Sequence, residues 1–437
     1  MADKNATAPS STLPDERRQE HAVDLAAQAP ADVTLDTSLA THGGGDAPHG
    51  LRQHSHGAGV PEQSRAERRT SFDPADFDVP TGREEEWRFT PVDRLGALLA
   101  DEPSDAHLGW ETSLPDGVQL TEISTDEARA LGVMPPADRP AALAVAHSGG
   151  AVRLSVPADA DLAEPVRLTL EGAGDDVVWG HLVVTAGRFS RATVIVEHTG
   201  TARFSEVLSV VAEDGADLTV VSVQQWDDEA VHLAEHDAVV GRDARFKHVA
   251  VSLGGAIVRM NTNVRYSGPG GDATLLGVYF ADAGQHLEHR SFVDHALPHC
   301  RSNVVYKGAL QGETAHTVWV GDVLIRAAAE GTDTYELNRN LVLTDGARAD
   351  SVPNLEIETG EIVGAGHASA TGRFDDEQLF YLQARGIPEA EARRLVVRGF
   401  FADVVQQIGV PEVVERLMAA IEGELDLSMT APAGASR

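Results

Sequence analysis

Histidines, carboxylates and a single thiol are the side chains of this 437-residue sequence whose spacing could support chemistry. His232-Leu233-Ala234-Glu235-His236 matches the H-x-x-E-H pattern of zinc hydrolases. That chemistry needs a helix to bring both imidazoles to one face. Here the segment lies among β-forming runs, where positions i and i+4 share a face and the glutamate points away, so hydrolytic zinc is not expected. A denser group runs from His286 through His289, His295 and His299 to Cys300. Imidazole and thiolate ligate iron or zinc well, yet strand alternation sends His286 and His289 to opposite faces. Polar histidines bonded within the fold are therefore expected, rather than a metal site within this chain. Asp350, Glu356, Glu358, Glu361 and His367 form a third polar group. Glu356 and Glu358 share a strand face, and taken alone the group reads as a solvated edge. Gly364-Ala365-Gly366 fails as a dinucleotide loop, because Ser369 stands in the third glycine position and no strand–helix unit surrounds it. No GxxxxGK[ST] occurs, so no P-loop for ATP is present.

Composition narrows the function classes. A net charge of −33 disfavours binding to duplex DNA or to an anionic membrane surface. One cysteine cannot form an intrachain disulfide or, alone, a thiolate cage. The first residues lack the charged-then-apolar order of a signal peptide, and no run reaches the roughly 18 apolar residues of a membrane span. The expected compartment is the cytoplasm.

The elements that must position these groups change along the chain. Up to Phe72 there is no aromatic residue, and Ala, Pro, Gly, Ser and charged residues dominate, too little apolar surface to offset chain entropy. Residues 1–70 read as a disordered tail, whose His42, His49, His54 and His56 would bind metal only adventitiously. A small mixed or helical segment anchored by Trp87 and Phe89 is expected over 71–150. From 151 to 374, short β-rich runs follow one another without intervening amphipathic helices, which excludes Rossmann-type and TIM-type alternation. Asp214-Gly215-Ala216-Asp217-Leu218, Arg242-Asp243-Ala244-Arg245-Phe246 and Gly271-Asp272-Ala273-Thr274-Leu275 share one shape, with alanines 28 and 29 residues apart (244 − 216 and 273 − 244). A turn then a strand, once per coil, is how a stacked β-solenoid reads; a β-sandwich remains the alternative. Over 375–425 the signal is helical. Asp375 serves as a candidate N-cap, Gly386 as a stop, and Pro388 and Pro411 as helix openers. Leu395, Val396, Phe400, Val404 and Ile408 form one apolar stripe, and Val414, Leu417, Met418, Ile421 and Leu425 another. Residues 426–437 read as a flexible tail.

Three segments carry a resemblance. Asn354-Leu355-Glu356-Ile357 through His367 to Asp375-Asp376-Glu377-Gln378-Leu379-Phe380-Tyr381-Leu382-Gln383-Ala384-Arg385-Gly386-Ile387, continued by Ala392 to Phe401, closely resembles the C-terminal signature of the SufB/SufD family of iron–sulfur cluster assembly proteins. His295-Ala296-Leu297-Pro298 with Ser302 and Tyr306-Lys307-Gly308 resembles its central motif, and Glu84-Glu85-Glu86-Trp87-Arg88-Phe89-Thr90 its N-terminal one.

The resemblance implies a mostly β protein, a right-handed parallel β-helix with helical ends. It implies a non-catalytic scaffold subunit of a SufB–SufC–SufD complex. This subunit would pair with a SufB-like chain through the β-helix and dock a SufC-like ABC ATPase on its C-terminal helices, with Leu395, Phe400, Phe401, Val404 and Leu417 as candidate docking residues. No cofactor would be held stably by the isolated chain. A transient iron–sulfur cluster would form in the complex, and ATP would be used by the SufC partner. SufD is favoured over SufB because SufB would carry more cysteines than Cys300. Where familiar SufD proteins read Cys-x-His, this chain has Ala365 and His367, so His367 is the transferable candidate ligand, imidazole being able to replace thiolate on iron. The rival readings are a SufB-like cluster scaffold acting as a homodimer and, more remotely, a β-helix enzyme of polysaccharides.

Overall fold

The structure, a computed structural model, describes residues 68–374 and 376–430. The tail histidines His42, His49, His54 and His56, the candidate cap Asp375 and residues 431–437 lie outside the described residues.

After three 3-10 turns between Pro74 and Leu99 come β1 (Gly109–Ser113), β2 (Gln119–Ile123), α1 (Thr125–Ala130) and α2 (Arg139–His147). A capping box at Ser124 and Glu127 starts α1, and the Asp138 carboxylate caps α2. The β region follows as β3 (Ala151–Val156), β4 (Val166–Ala186), β5 (Arg191–Ala212), β6 (Asp217–Trp226), β7 (Val231–Val240), β8 (Arg245–Ser252), β9 (Ile257–Tyr266), β10 (Asp272–Ala281), β11 (His286–His295), β12 (Arg301–Leu310), β13 (His316–Ile325), β14 (Asp333–Val342), β15 (Arg348–Ile357) and β16 (Gly364–Arg373).

These strands wind a parallel β-solenoid of about eight turns. One wall stacks β6, β8, β10, β12, β14 and β16; the other stacks β7, β9, β11, β13 and β15. The long β5 serves both, Arg191–Gly200 pairing with β6 and Arg203–Ala212 with β7. The repeat seen in the sequence is real but slipped. Asp217 pairs with Arg245 and Arg245 with Asp272, steps of 28 and 27 residues (245 − 217 and 272 − 245). Ala273 therefore stands level with Phe246, two residues from the expected match to Ala244. A two-residue slip keeps every side chain on its own face, so the alternation read from the sequence survives the error.

Both faces of most strands are covered, as for parallel sheets generally. All ten residues of β7 are buried. Inward side chains such as Leu218, Val220, Leu275, Val304 and Trp319 fill the lumen. Outward ones divide between two blankets. Val207, Val231, Leu233 and Ile257 pack under Trp87, Leu95, Leu98 and Leu143 of the N-terminal segment, where Arg259 lies over the Trp87 ring at 3.9 Å and pairs with Asp138 at 2.7 Å. Val221, Val249, Leu276, Val278 and Val305 pack under the C-terminal helices.

Those helices are α3 (Asp376–Ala384), α4 (Glu389–Ile408) and α5 (Pro411–Thr430). Pro388 is the residue before α4, one position earlier than a first-turn proline, and α5 carries residues 426–430 as helix where the sequence suggested tail. Val397, Phe401, Val404, Val405 and Ile408 are the buried stripe of α4. Their 3–4 spacing fits one helix face better than the expected stripe beginning at Leu395, which is 39% exposed.

Candidate functional site

One inward ladder of the even wall runs in register through Val220, His248, Leu275, Val304, Glu336 and His367. For its first four positions the ladder is buried lumen. At Glu336 it becomes acidic while still only 1% exposed, and both carboxylate oxygens lack a hydrogen-bond partner. Burial, with the neighbouring Asp322 charge adding to it, pushes this carboxyl up to about 8. Room for it comes from the facing wall. A Cβ on Gly321 would stand 2.7 Å from Glu336 Oε1 and 2.3 Å from the Trp319 ring. The indole nitrogen of Trp319 is itself buried without a partner.

His367 follows on the last strand, where no further coil covers the ladder, and it is exposed. With Phe292, Asp322, Asn354 and Glu356 it lines a cavity of about 460 Å³. Among the described residues β15 pairs only with β13, and β16 only with β14, so both strands present a free edge at this end. Ile357 and Val363 beside them are 46% and 74% exposed. Among the remaining acids of the third group, Asp350 pairs with His316 at 2.7 Å and with Arg348, and Glu358 accepts the Ala327 N–H.

Apart from the exposed His299, the described histidines of the other two groups are committed to internal partners. His232 and His236 share the inward face of β7 and Glu235 points away, as expected on a strand. The carboxylate they meet is Glu206 of β5, which pairing alone brings there; spacing along the chain gave no hint of it. Its oxygens lie 3.3 Å from His198 Nε2, 3.5 Å from His232 Nε2 and 3.0 Å from His236 Nε2. Burial opposes its charge, but the His198 charge and the three imidazole contacts hold it well below the usual carboxylate range. Three imidazoles around a carboxylate suggest a metal cradle. The Trp226 indole argues otherwise: it can only donate, and at 3.1 Å it donates to His232 Nδ1. The His232 proton then sits on Nε2, so that nitrogen has no lone pair for a cation.

The His286–Cys300 group likewise does not converge. His286 faces outward to Glu288 and His316. His289 faces inward, stacked on Tyr279 and bonded to Ser252, and His295 bonds Ser302. Cys300 is fully buried between the Gly268 and Pro298 carbonyls, and burial raises its thiol, which removes it as a thiolate donor.

The helical surface differs from its sequence reading. Phe401, Val404 and Leu417 are buried on the solenoid wall, because they lie on the stripe that the strand side chains cover. They hold the helices to this chain and are not free to meet a partner. Lys307 donates to the Phe400 carbonyl at 2.7 Å and Lys247 to that of Gln407 at 3.0 Å, fixing α4 further. The free surface is Leu395, the partly exposed Phe400, and Phe380 and Tyr381 of α3, the last two 72% and 56% exposed. No described helix is long and apolar enough to cross a membrane.

Comparison with known proteins matches residues 168–400 to the SUF system FeS cluster assembly, SufBD core domain. An iron–sulfur cluster assembly SufBD family protein of Mycobacterium tuberculosis is 55% identical over 368 residues, covering 82% of this chain and 92% of the relative. The iron–sulfur cluster assembly protein SufD of Bacillus subtilis is 27% identical over 339 residues, 72% of this chain and 76% of that protein. SufD of Escherichia coli is 26% identical over 190 residues, 44% of each.

Proposed function

Because this chain belongs to the SufBD family of iron–sulfur cluster assembly proteins, we propose that it works there as a SufD-like scaffold subunit without catalysis of its own. It pairs with a SufB-like chain at the open end of the solenoid, carries a SufC-like ATPase on its C-terminal helices, and offers His367 as a ligand to a cluster in transit. The carrying observation is the coincidence of three features at one end: two free strand edges, exposed apolar side chains, and an exposed His367. A free parallel edge can be extended by a partner strand, and a ligand placed there would sit within such a joint. The internal partners of His198, His232, His236, His286, His289 and His295, with the burial of Cys300, support a role as support and partial ligand set. Iron and sulfide are cargo in this reading, and ATP is consumed by the partner.

For the helices, the reading transfers docking from Phe401, Val404 and Leu417 to the exposed Phe380, Tyr381 and Leu395. The test is affinity purification of the native complex from cells carrying Phe380→Ala and Tyr381→Ala together. Loss of the ATPase with retention of the SufB-like subunit is expected. Full retention of the ATPase would remove α3 from the docking surface.

A further inference from the structure

A buried carboxyl with both oxygens unpartnered is rare, because leaving such a group unsatisfied costs about 1–3 kcal/mol. Glu336 is in that position, one strand from His367 in exact ladder register. Adjacent parallel strands lie about 4.8 Å apart, so two side chains at the same level and on the same face can reach one ion. The two coils before it fill this level with apolar Leu275 and Val304, so packing alone would be better served by an apolar residue. Gly321 withholds a side chain from the space at Oε1. The solenoid thus keeps an unpaired oxygen donor directly behind an exposed nitrogen donor.

We propose that Glu336 and His367 together form a two-residue site for a divalent first-row transition metal such as Fe(II), Glu336 as the inner oxygen donor and His367 as the outer nitrogen donor. Mixed imidazole and carboxylate ligands suit Fe(II), and the side facing the cavity stays open for donors from a partner. The inference rests on the reading of His367 as a ligand and adds a second protein donor to it.

Cobalt(II) serves as the probe, since its d–d absorption reports coordination without any assembly activity. The full-length chain is titrated anaerobically after His42, His49, His54 and His56 are replaced by alanine, which removes tail binding. Glu336→Gln and His367→Ala are each expected to weaken cobalt binding at least about tenfold, the lower bound for losing even an outer-sphere partner of a metal site, and to change the d–d spectrum. Loss in His367→Ala with parental binding in Glu336→Gln overturns the inference and leaves the role of His367 standing. Parental binding in both variants overturns both, and so does a parent that binds no better than the double variant. Should Glu336→Gln fail to fold, Glu336→Asp keeps the charge but withdraws the oxygens by one carbon. It is expected to bind cobalt more weakly, and unchanged binding counts against the site.

Discussion

The two ends of this solenoid are built by the same coil and finished in opposite ways. At the N-terminal end β1 runs antiparallel across Arg167–Glu171 of β4, and β2 runs antiparallel along β3. Reversing direction there breaks the parallel stacking. At the C-terminal end β15 and β16 each keep one unpaired edge. Free edges invite association, and proteins usually block the ones they do not use. One end is finished by two short antiparallel strands and the other by full-length parallel strands beside the exposed His367; under the proposed function, this difference separates a stability end from an assembly end.

That separation predicts unequal responses to the same small change. Gly150→Ala at the closed end would place a Cβ 2.5 Å from the Ile123 carbonyl oxygen, at a φ of +132°. A loss on the order of 3 kcal/mol is expected in chemical denaturation. Gly372→Ala on β16 meets nothing within 4 Å, and a change within about 0.5 kcal/mol is expected. Equal losses at the two sites would break the distinction.

Opposite pH responses should sharpen it. His181, near the closed end, is pulled down to about 4 by burial. The folded state then resists a proton that the unfolded chain accepts, so stability falls as pH drops from about 6.5 toward 4. Glu336 near the open end is raised to about 8. The unfolded chain gives up that proton first, so stability falls as pH climbs from about 4.5 toward 8. At about 1.4 kcal/mol per pKa unit, the contributions are expected to be on the order of 3 kcal/mol for His181 and on the order of 5 kcal/mol for Glu336. Glu336→Gln should flatten only the alkaline fall in melting temperature against pH. A variant whose alkaline fall equals the parent's would contradict the placement of Glu336.

A smaller free energy separates surface from partner. Ile357→Lys with Val363→Lys puts two charges beside the free edges while touching exposed positions only. Monomer stability is expected to stay within about 0.5 kcal/mol. Affinity for the SufB-like partner should fall at least about tenfold, or roughly 1.4 kcal/mol, in a binding titration. Parental affinity would move the interface elsewhere.

The coil, the strand texture and the helical finish were all legible in the sequence, because they rest on local turn residues and on apolar spacing. The slip at Ala273 arose because glycine and alanine look alike at a turn, while the ladder is set by pairing partners about 28 residues away. The α4 stripe was misphased because Leu395, Val396 and Val397 are all apolar, and only the wall beneath decides which of them turns inward. Glu206 and Glu336 escaped notice for a deeper reason. Thr334, Glu336, Asn338 and Asn340 alternate along β14 as an exposed strand would, and nothing local tells an inward polar face from an outward one. His367 was found through resemblance; its exposure follows from being on the last strand, where no further coil covers the inward ladder.

The claim that the open end is the assembly end is tested most directly by His367→Ala in the purified complex, with iron and acid-labile sulfide measured anaerobically per complex. The account predicts normal subunit assembly, since one exposed imidazole contributes little to such a joint, together with strongly reduced iron and sulfide. Parental iron and sulfide in a fully assembled complex would contradict it, and would leave the open end a joint between subunits with no part in holding the cluster.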